Sequence, residues 1–266
     1  MIYVVPSLKA KEKLQSEGKA WAESQGFTYV LRHQRTIQDL MDEYGEDFLV
    51  YSSRGPQIDR PEGSHFFSLN MAELRIQNLR KGQRDHLLEA LMGRGSSKLP
   101  ITVLDCTCGF GADAAVASFG LPTGSRVDAL EVSSLLEAVT SWGFSHFIHK
   151  KDDVTAALRR ISLRRGDYRD YLLSDEGPVY DVLYFDPMFQ RPVEASCQFQ
   201  PVRAIMEHGG LTRDLIERAL QKARRRVVIK ERDFRQLCRD FPEVTLYGGK
   251  YSRIGYAVLE CDSWKK

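Results

Sequence analysis

The chain has 266 residues, 42% of them hydrophobic and 28% charged, and a formal net charge of +2. That length allows one large domain, or a core domain with a smaller appendage, and the weak net charge creates no global field that demands a polyanionic partner. The longest apolar runs, such as Val227-Val228-Ile229, are too short to span a bilayer, and residues 1–6 read as a strand and not as a signal peptide, so the expected location is the cytoplasm.

In chain order, residues 2–5 are apolar and β-branched, which predicts a strand. Residues 9–25 are rich in helix formers, with Leu14, Ala20 and Trp21 as candidate buried positions. A strand over 27–31, a helix over 36–44 and a strand over 47–52 follow. The glycines and prolines of 54–63 predict a loop. Residues 68–92 predict a helical region with Leu69, Ala72, Ile76 and Leu79 on one face and a break at Gly82. Gly93-Arg94-Gly95-Ser96-Ser97 is the linker candidate, which divides the chain into an N-terminal α/β subdomain, 1–95, and a larger domain, 96–266. Beyond it strands are expected over 101–105, 126–131, 161–165, 179–185 and 225–230, alternating with helices over 112–118, 134–143, 154–160 and 211–223. Residues 244–246 and 255–261 read as a closing antiparallel pair. Such alternation implies an α/β fold with a mostly parallel sheet covered by helices on both faces.

The five cysteines, Cys106, Cys108, Cys197, Cys238 and Cys261, are odd in number and form no Cys-x-x-Cys pair, so neither a disulfide framework nor a metal site is expected. Basic residues cluster at Arg159-Arg160, Arg164-Arg165, Arg224-Arg225-Arg226, Lys230 with Arg232, and Arg75 with Arg80, Lys81 and Arg84. These can track phosphates or can be solvated faces.

The most informative segment is the run from Val103 to Asp113. A buried strand delivers Asp105, and Gly109-Phe110-Gly111 then leads straight into a helix. The glycines let the backbone turn sharply and approach a ligand, and the first N–H groups of the helix suit a polar group. At the end of the next strand Glu131 follows about twenty residues on, where an acid can accept hydrogen bonds from both hydroxyls of a ribose; a solvated strand end is the alternative. The third glycine of a dinucleotide fingerprint is missing, and Asp113 stands one position before its place, where a carboxylate would repel a diphosphate. S-adenosylmethionine carries a sulfonium and an ammonium and no phosphate, so this charge pattern favours it. Asp167, after the third strand, can hold an adenine amine or simply make a turn.

A second motif, Asp186-Pro187-Met188-Phe189, ends the apolar strand that begins near Val179. Ligands of open α/β sheets bind beyond the carboxyl ends of the strands, so this tetrapeptide is expected to face the crevice of the glycine loop. Asp186 and the carbonyl of Pro187 can together accept both hydrogens of an exocyclic amine, and Phe189 can stack on a base. The plainer alternative is a strand-ending turn with a buried phenylalanine.

Together, Asp105-x-x-x-Gly109-x-Gly111-x-Asp113, Leu130-Glu131 and Asp186-Pro187-Met188-Phe189 resemble the RsmJ-like methyltransferases. The resemblance extends to the late strand Arg226–Phe234 and, weakly, to 71–91. It implies a Rossmann-like class I methyltransferase with a mostly parallel seven-stranded sheet and S-adenosyl-L-methionine as cofactor. It further implies an RNA substrate, a guanine N2 of small-subunit ribosomal RNA. Carried over by motif, the family's cofactor contacts fall on Ala112 and Asp113, Glu131 and Val132, Asp167 and Tyr168, and Asp186. The sequence departs from the family at Ala112, where a basic residue is usual, and at Asp167-Tyr168, where a small polar pair is usual. Methylation of DNA or a small amine, and a cofactor-binding module without turnover, are the competing readings. His65, Phe66, Phe67, Asn70 and Arg75 can cradle a substrate or pack a helix start, and Lys230 and Arg232 can meet phosphate or end a solvated strand.

Overall fold

The computed structural model describes residues 1–93, 99–187, 210–248 and 254–264. Among these the chain divides into two compact units, one of Met1–Ser68 with Ser133–Phe147, the other of the remaining residues.

The larger unit is built on strands that are apolar on both faces, as a sheet covered by helices on both sides requires. Its elements are α3 (Asn70–Arg80), α4 (His86–Met92), β6 (Thr102–Asp105), α5 (Ala112–Gly120), β7 (Arg126–Glu131), α7 (Asp152–Arg159), β8 (Ile161–Arg165), α8 (Tyr168–Leu173), β9 (Val182–Phe185), α9 (Arg213–Lys222), β10 (Arg226–Glu231), α10 (Arg235–Asp240), β11 (Thr245–Gly248), β12 (Gly255–Glu260) and α11 (Cys261–Trp264). The sheet order is β11-β12-β10-β9-β6-β7-β8, with β12 antiparallel to both neighbours and the other pairings parallel. All four residues of β9 are buried. Leu183 and Phe185 join Leu104, Val227 and Ile229 in a core that also takes Ile216 and Leu220 of α9 and Tyr171 and Leu172 of α8. From β6 the chain runs outward through β7 to β8, then returns to lay β9 on the other side of β6. The reversal opens a crevice beyond the carboxyl ends of β6 and β9.

The smaller unit contains β1 (Tyr3–Pro6), α1 (Glu12–Ser24), β2 (Thr28–Tyr29), α2 (Ile37–Tyr44), β3 (Phe48–Ser52), β4 (Gly55–Arg60), β5 (Gly63–Phe66) and α6 (Ser134–His146). Its sheet order is β2-β1-β3-β4-β5, parallel across the first three strands and antiparallel across the rest. Val5, Leu40, Phe48 and Val50 form its buried core. Thr36 caps α2 in a capping box: its hydroxyl accepts from the Asp39 N–H at 3.2 Å, and the Asp39 carboxylate accepts from the Thr36 N–H at 2.7 Å.

Most expected elements form within a few residues of their expected ends, and the helical region after 68 breaks at Gly82, whose φ is +76°. Three expectations fail. The stretch 54–63 is not a loop but strand β4 turning into β5, with Arg60 paired to Gly63. Pro56 is tolerated because it faces only β3, at Tyr51, before the pairing with β5 begins at Gln57. Along α1 the buried positions are Gly18 and Ala22, whereas Ala20 is exposed. A Cβ on Gly18 would lie 2.9 Å from the Tyr51 ring, so the absent side chain is what lets that ring seat on the helix. The short helices α8, which Asp167 caps, α10 and α11 were not expected.

Gly55 carries the tightest backbone requirement of the smaller unit. Its φ is +87°, and a Cβ there would stand 2.5 Å from the Trp142 ring. Gly55→Ala therefore combines an unfavourable backbone with overpacking, and we expect it to cost about 2–4 kcal/mol in urea unfolding. An unchanged midpoint would contradict that packing.

Candidate active site

The carboxyl ends of β6, β7 and β9 bring together most of the acids singled out in the sequence. Asp105 closes β6. Its buried carboxyl accepts from the Thr107 N–H at 3.1 Å, and burial, with Asp113 and Asp186 nearby, pushes its pKa well above the usual carboxylate value. The turn that follows runs through Gly109, at φ +53°, and Gly111, at φ +74°, where α5 begins. A Cβ on Gly109 would meet nothing nearer than the Thr107 carbonyl oxygen at 3.9 Å, so the loop opens on to space. Glu131, at the end of β7, is buried and accepts from the Gly109 N–H at 2.8 Å. It thereby ties the second strand end to the glycine loop. Ala112 starts α5 and Val132 follows Glu131; both are half-buried.

Asp186 follows β9 directly, and Pro187 comes after it. Its backbone N–H donates to the Thr107 hydroxyl at 2.7 Å, which fastens the β9 end to the β6 loop. One carboxylate oxygen accepts from Lys230 Nζ at 2.7 Å. Burial pushes the Asp186 pKa up to about 6, against the pull of Lys230. Phe189 and Met188 lie outside the described residues.

Asp113 sits differently from the sequence-based picture of a lone acid. One of its oxygens pairs with the Arg75 guanidinium. The other accepts from Lys230 at 2.8 Å and from the Tyr184 hydroxyl at 2.6 Å. Burial alone would raise its pKa, yet Lys230 and Arg75 outweigh that and hold the carboxyl well below its usual value. Arg75 in turn grips Asp85 with two hydrogen bonds of 2.8 Å. The result is a continuous chain of charge, Asp85–Arg75–Asp113–Lys230–Asp186. Arg75 and Lys230 are thus ion-paired inside the larger unit, and Lys230 is not a solvated strand terminus. In the smaller unit Phe67 is buried edge-on to Phe144 and Phe147, the packing alternative.

Asp167 is close to the group in sequence order but is engaged locally. It caps α8 by accepting from the Arg169 N–H at 2.8 Å and pairs with the Arg169 guanidinium, which together outweigh burial and lower its pKa. Tyr168 is buried with its ring edge-on to Phe185 at 5.4 Å. Among the described residues no cluster of three or more His, Cys, Asp or Glu can hold a metal ion, and no helix is long and apolar enough to cross a membrane. Cys106 and Cys108 are buried, unbridged thiols in the loop after β6. Sequence reasoning missed Thr107, Tyr184 and the inward pairing of Lys230. Only the strand register, which sets Ile229 against Phe185 and hence Lys230 beside Asp186, could have pointed to the last.

The glycine turn after β6 and the acid at the end of β7 lie together at the carboxyl ends of the strands, where open α/β sheets bind ligands. The family model described as "Putative SAM-dependent methyltransferase" matches residues 63–254, and the chain belongs to that family, whose cofactor is S-adenosylmethionine. The chain is similar to the Bacillus subtilis "Uncharacterized protein YpiP", at 28% identity over 230 residues, 86% of this chain and 88% of that one. It is also similar to the "Ribosomal RNA small subunit methyltransferase J" of Pseudomonas fluorescens strain SBW25, at 29% identity over 247 residues and 91% of each chain. Its fold matches the crystal structure of the SAM-dependent methyltransferase NGO1261 from Neisseria gonorrhoeae, with TM-score 0.61, 18% identity, and 97% of this chain and 95% of that one covered. The resemblance carried by the three motifs is thus borne out, and so is the Rossmann-like fold.

Proposed function

We propose that this methyltransferase modifies an exocyclic amine of a base in RNA, with Asp186 and Pro187 receiving the amine. The observation that carries the reading is Asp186 at the end of β9, fastened through Thr107 to the loop that bears Gly109 and Gly111. The similarity to proteins named as small-subunit ribosomal RNA methyltransferases narrows the proposed substrate to that RNA, and the RsmJ-like motifs narrow the proposed target to a guanine N2. In this reading the N-terminal α/β subdomain contributes substrate recognition, residues 96–266 carry the transfer, and the enzyme works in the cytoplasm.

The cofactor fits the residues present. Gly109 leaves room for a ligand against the loop, and the Glu131 carboxylate beside it offers acceptors that suit ribose hydroxyls. Asp105, Gly111, Ala112, Asp113, Val132, Asp167 and Tyr168 complete the proposed surroundings, with Asp113 acting through the charge chain and Asp167 through the start of α8. S-adenosylmethionine supplies, when bound, a methyl group on a sulfonium sulfur that keeps the bonding electron pair on departure. Asp186 and the Pro187 carbonyl accept the two N–H groups and so aim the nitrogen lone pair at the methyl carbon. As the N–C bond forms the nitrogen must lose a proton, and an ionised Asp186 is placed to take it before passing it to water.

Glu131→Ala is expected to weaken S-adenosylmethionine binding about tenfold in isothermal titration, through loss of one charge-assisted clamp and of the acceptor that fixes Gly109. An unaltered dissociation constant would remove Glu131 from the cofactor site. The function itself is tested by incubating the protein with tritiated cofactor and three acceptors: RNA from cells lacking the protein, DNA, and small amines. Label in RNA alone is expected. Label in DNA or in a small amine, with none in RNA, would replace this reading by that substrate, and binding without any label would make the chain a cofactor-binding module.

A further inference from the structure

We propose that Lys230 is the positioning residue for Asp186: its ammonium, anchored on Asp113, holds one carboxylate oxygen so that the other is aimed at the substrate's amine. The inference rests on the role proposed for Asp186. Its geometry begins in the sheet register. Parallel pairing of Ile229 with Phe185 brings the next residues, Lys230 and Asp186, side by side at the strand ends. The Lys230 ammonium then contacts Asp186 Oδ2 at 2.7 Å and Asp113 Oδ2 at 2.8 Å. Among the described residues Asp186 Oδ1 accepts no hydrogen bond. Lys230 cannot wander, because Asp113 is itself held by Tyr184 and Arg75, and Arg75 is held by Asp85.

The electrostatics supports the same role. The groups facing Asp186 are Lys230 and Glu231 from β10, Asp113 from α5, Asp105 from β6 and Tyr184 from β9. Lys230 is the one cation in direct contact with it among the described residues, and the neighbouring carboxylates oppose its ionisation. Lys230 stays protonated, since Asp113 and Asp186 outweigh the burial that works against its charge. It therefore acts as a fixed donor and not as a base. A carboxyl that must be ionised to accept an N–H and a proton gains activity as pH rises through its pKa, so loss of Lys230 should move the acid limb upward.

The deciding experiment follows the Asp186 carboxyl by carbon-detected NMR in the full chain without RNA, with Asp186→Asn providing the assignment. Wild type is expected to inflect near pH 6. Lys230→Met should inflect about one to three units higher, and Lys230→Arg should stay close to wild type. In methyl transfer to RNA, Lys230→Met should lower kcat about tenfold or more at neutral pH, shift the acid limb by the same interval and leave KM for RNA unchanged, with Lys230→Arg restoring most of the rate. Lys230→Gln, which keeps a polar donor, serves if the methionine variant does not fold. An Asp186 titration or an acid limb that ignores loss of the charge would overturn the assignment. A wild-type protein that transfers no methyl group to RNA fails the functional reading instead, and the RNA-free titration separates the two.

Discussion

Asp113→Ala is expected to destabilise the protein by about 3–5 kcal/mol, because it strips the shared counter-charge from two cations in the interior of the larger unit. Arg75 would keep Asp85 and Lys230 would keep Asp186, but the link between them would be lost, and the Tyr184 hydroxyl would lose its acceptor as well. Exposed ion pairs are worth far less, about 0–1 kcal/mol, so the size of the effect reports the burial of this one. The pH dependence has a definite sign. Asp113 titrates in the native protein below its ordinary value of 3.8, so its contribution is complete above that pH and is lost as pH falls further toward the depressed native value. Urea unfolding of wild type and variant at neutral pH measures the loss. A difference below about 1 kcal/mol would mean that the charge chain is not formed in solution.

Asp186→Ala should act on the chemistry instead. Methyl transfer is expected to fall by roughly 10²–10⁴-fold under single-turnover conditions, the range for loss of a positioned acid–base group, with cofactor affinity changed only a few fold. The fold should tolerate this variant better than Asp113→Ala. The Asp186 side chain is 29% exposed against 9% for Asp113, and Lys230 retains Asp113 as partner. Two acids that share one lysine would then separate cleanly, one by stability and the other by rate. Unchanged turnover would remove Asp186 from the mechanism, and equal losses of stability in both variants would make the chain of charge structural throughout.

The parts of this architecture that depend on local pattern were legible in the sequence. Continuous apolar runs such as 182–185 announce strands buried on both faces, and acids immediately after such runs mark the crevice end of the sheet. The parts that depend on long-range pairing were not. Asp113 reads as an isolated negative charge, and on that ground it was set against a diphosphate. In the folded chain its partners come from 38 residues earlier and 117 later, so its charge is neutralised within the protein. The cofactor inference stands on the family match, the open turn at Gly109 and Glu131; the repulsion attributed to Asp113 does not support it. The hairpin of β4 and β5 was hidden by its own glycines and prolines, which serve a tight turn and the seat of Trp142 rather than a loop. Gly18 carries no side chain for a hydrophobic pattern to register, yet it is the residue of α1 that faces Tyr51.

On the proposed function, methyl transfer ends on an exocyclic nitrogen of an RNA base. Mass spectrometry of nucleosides from RNA of cells lacking the protein, before and after incubation with protein and cofactor, tests it most directly. Wild type should generate one N-methylated nucleoside, N2-methylguanosine if the ribosomal resemblance extends to the target, and Asp186→Ala should generate none. A methyl group on ribose oxygen or ring carbon, or the same product from Asp186→Ala, would contradict the account.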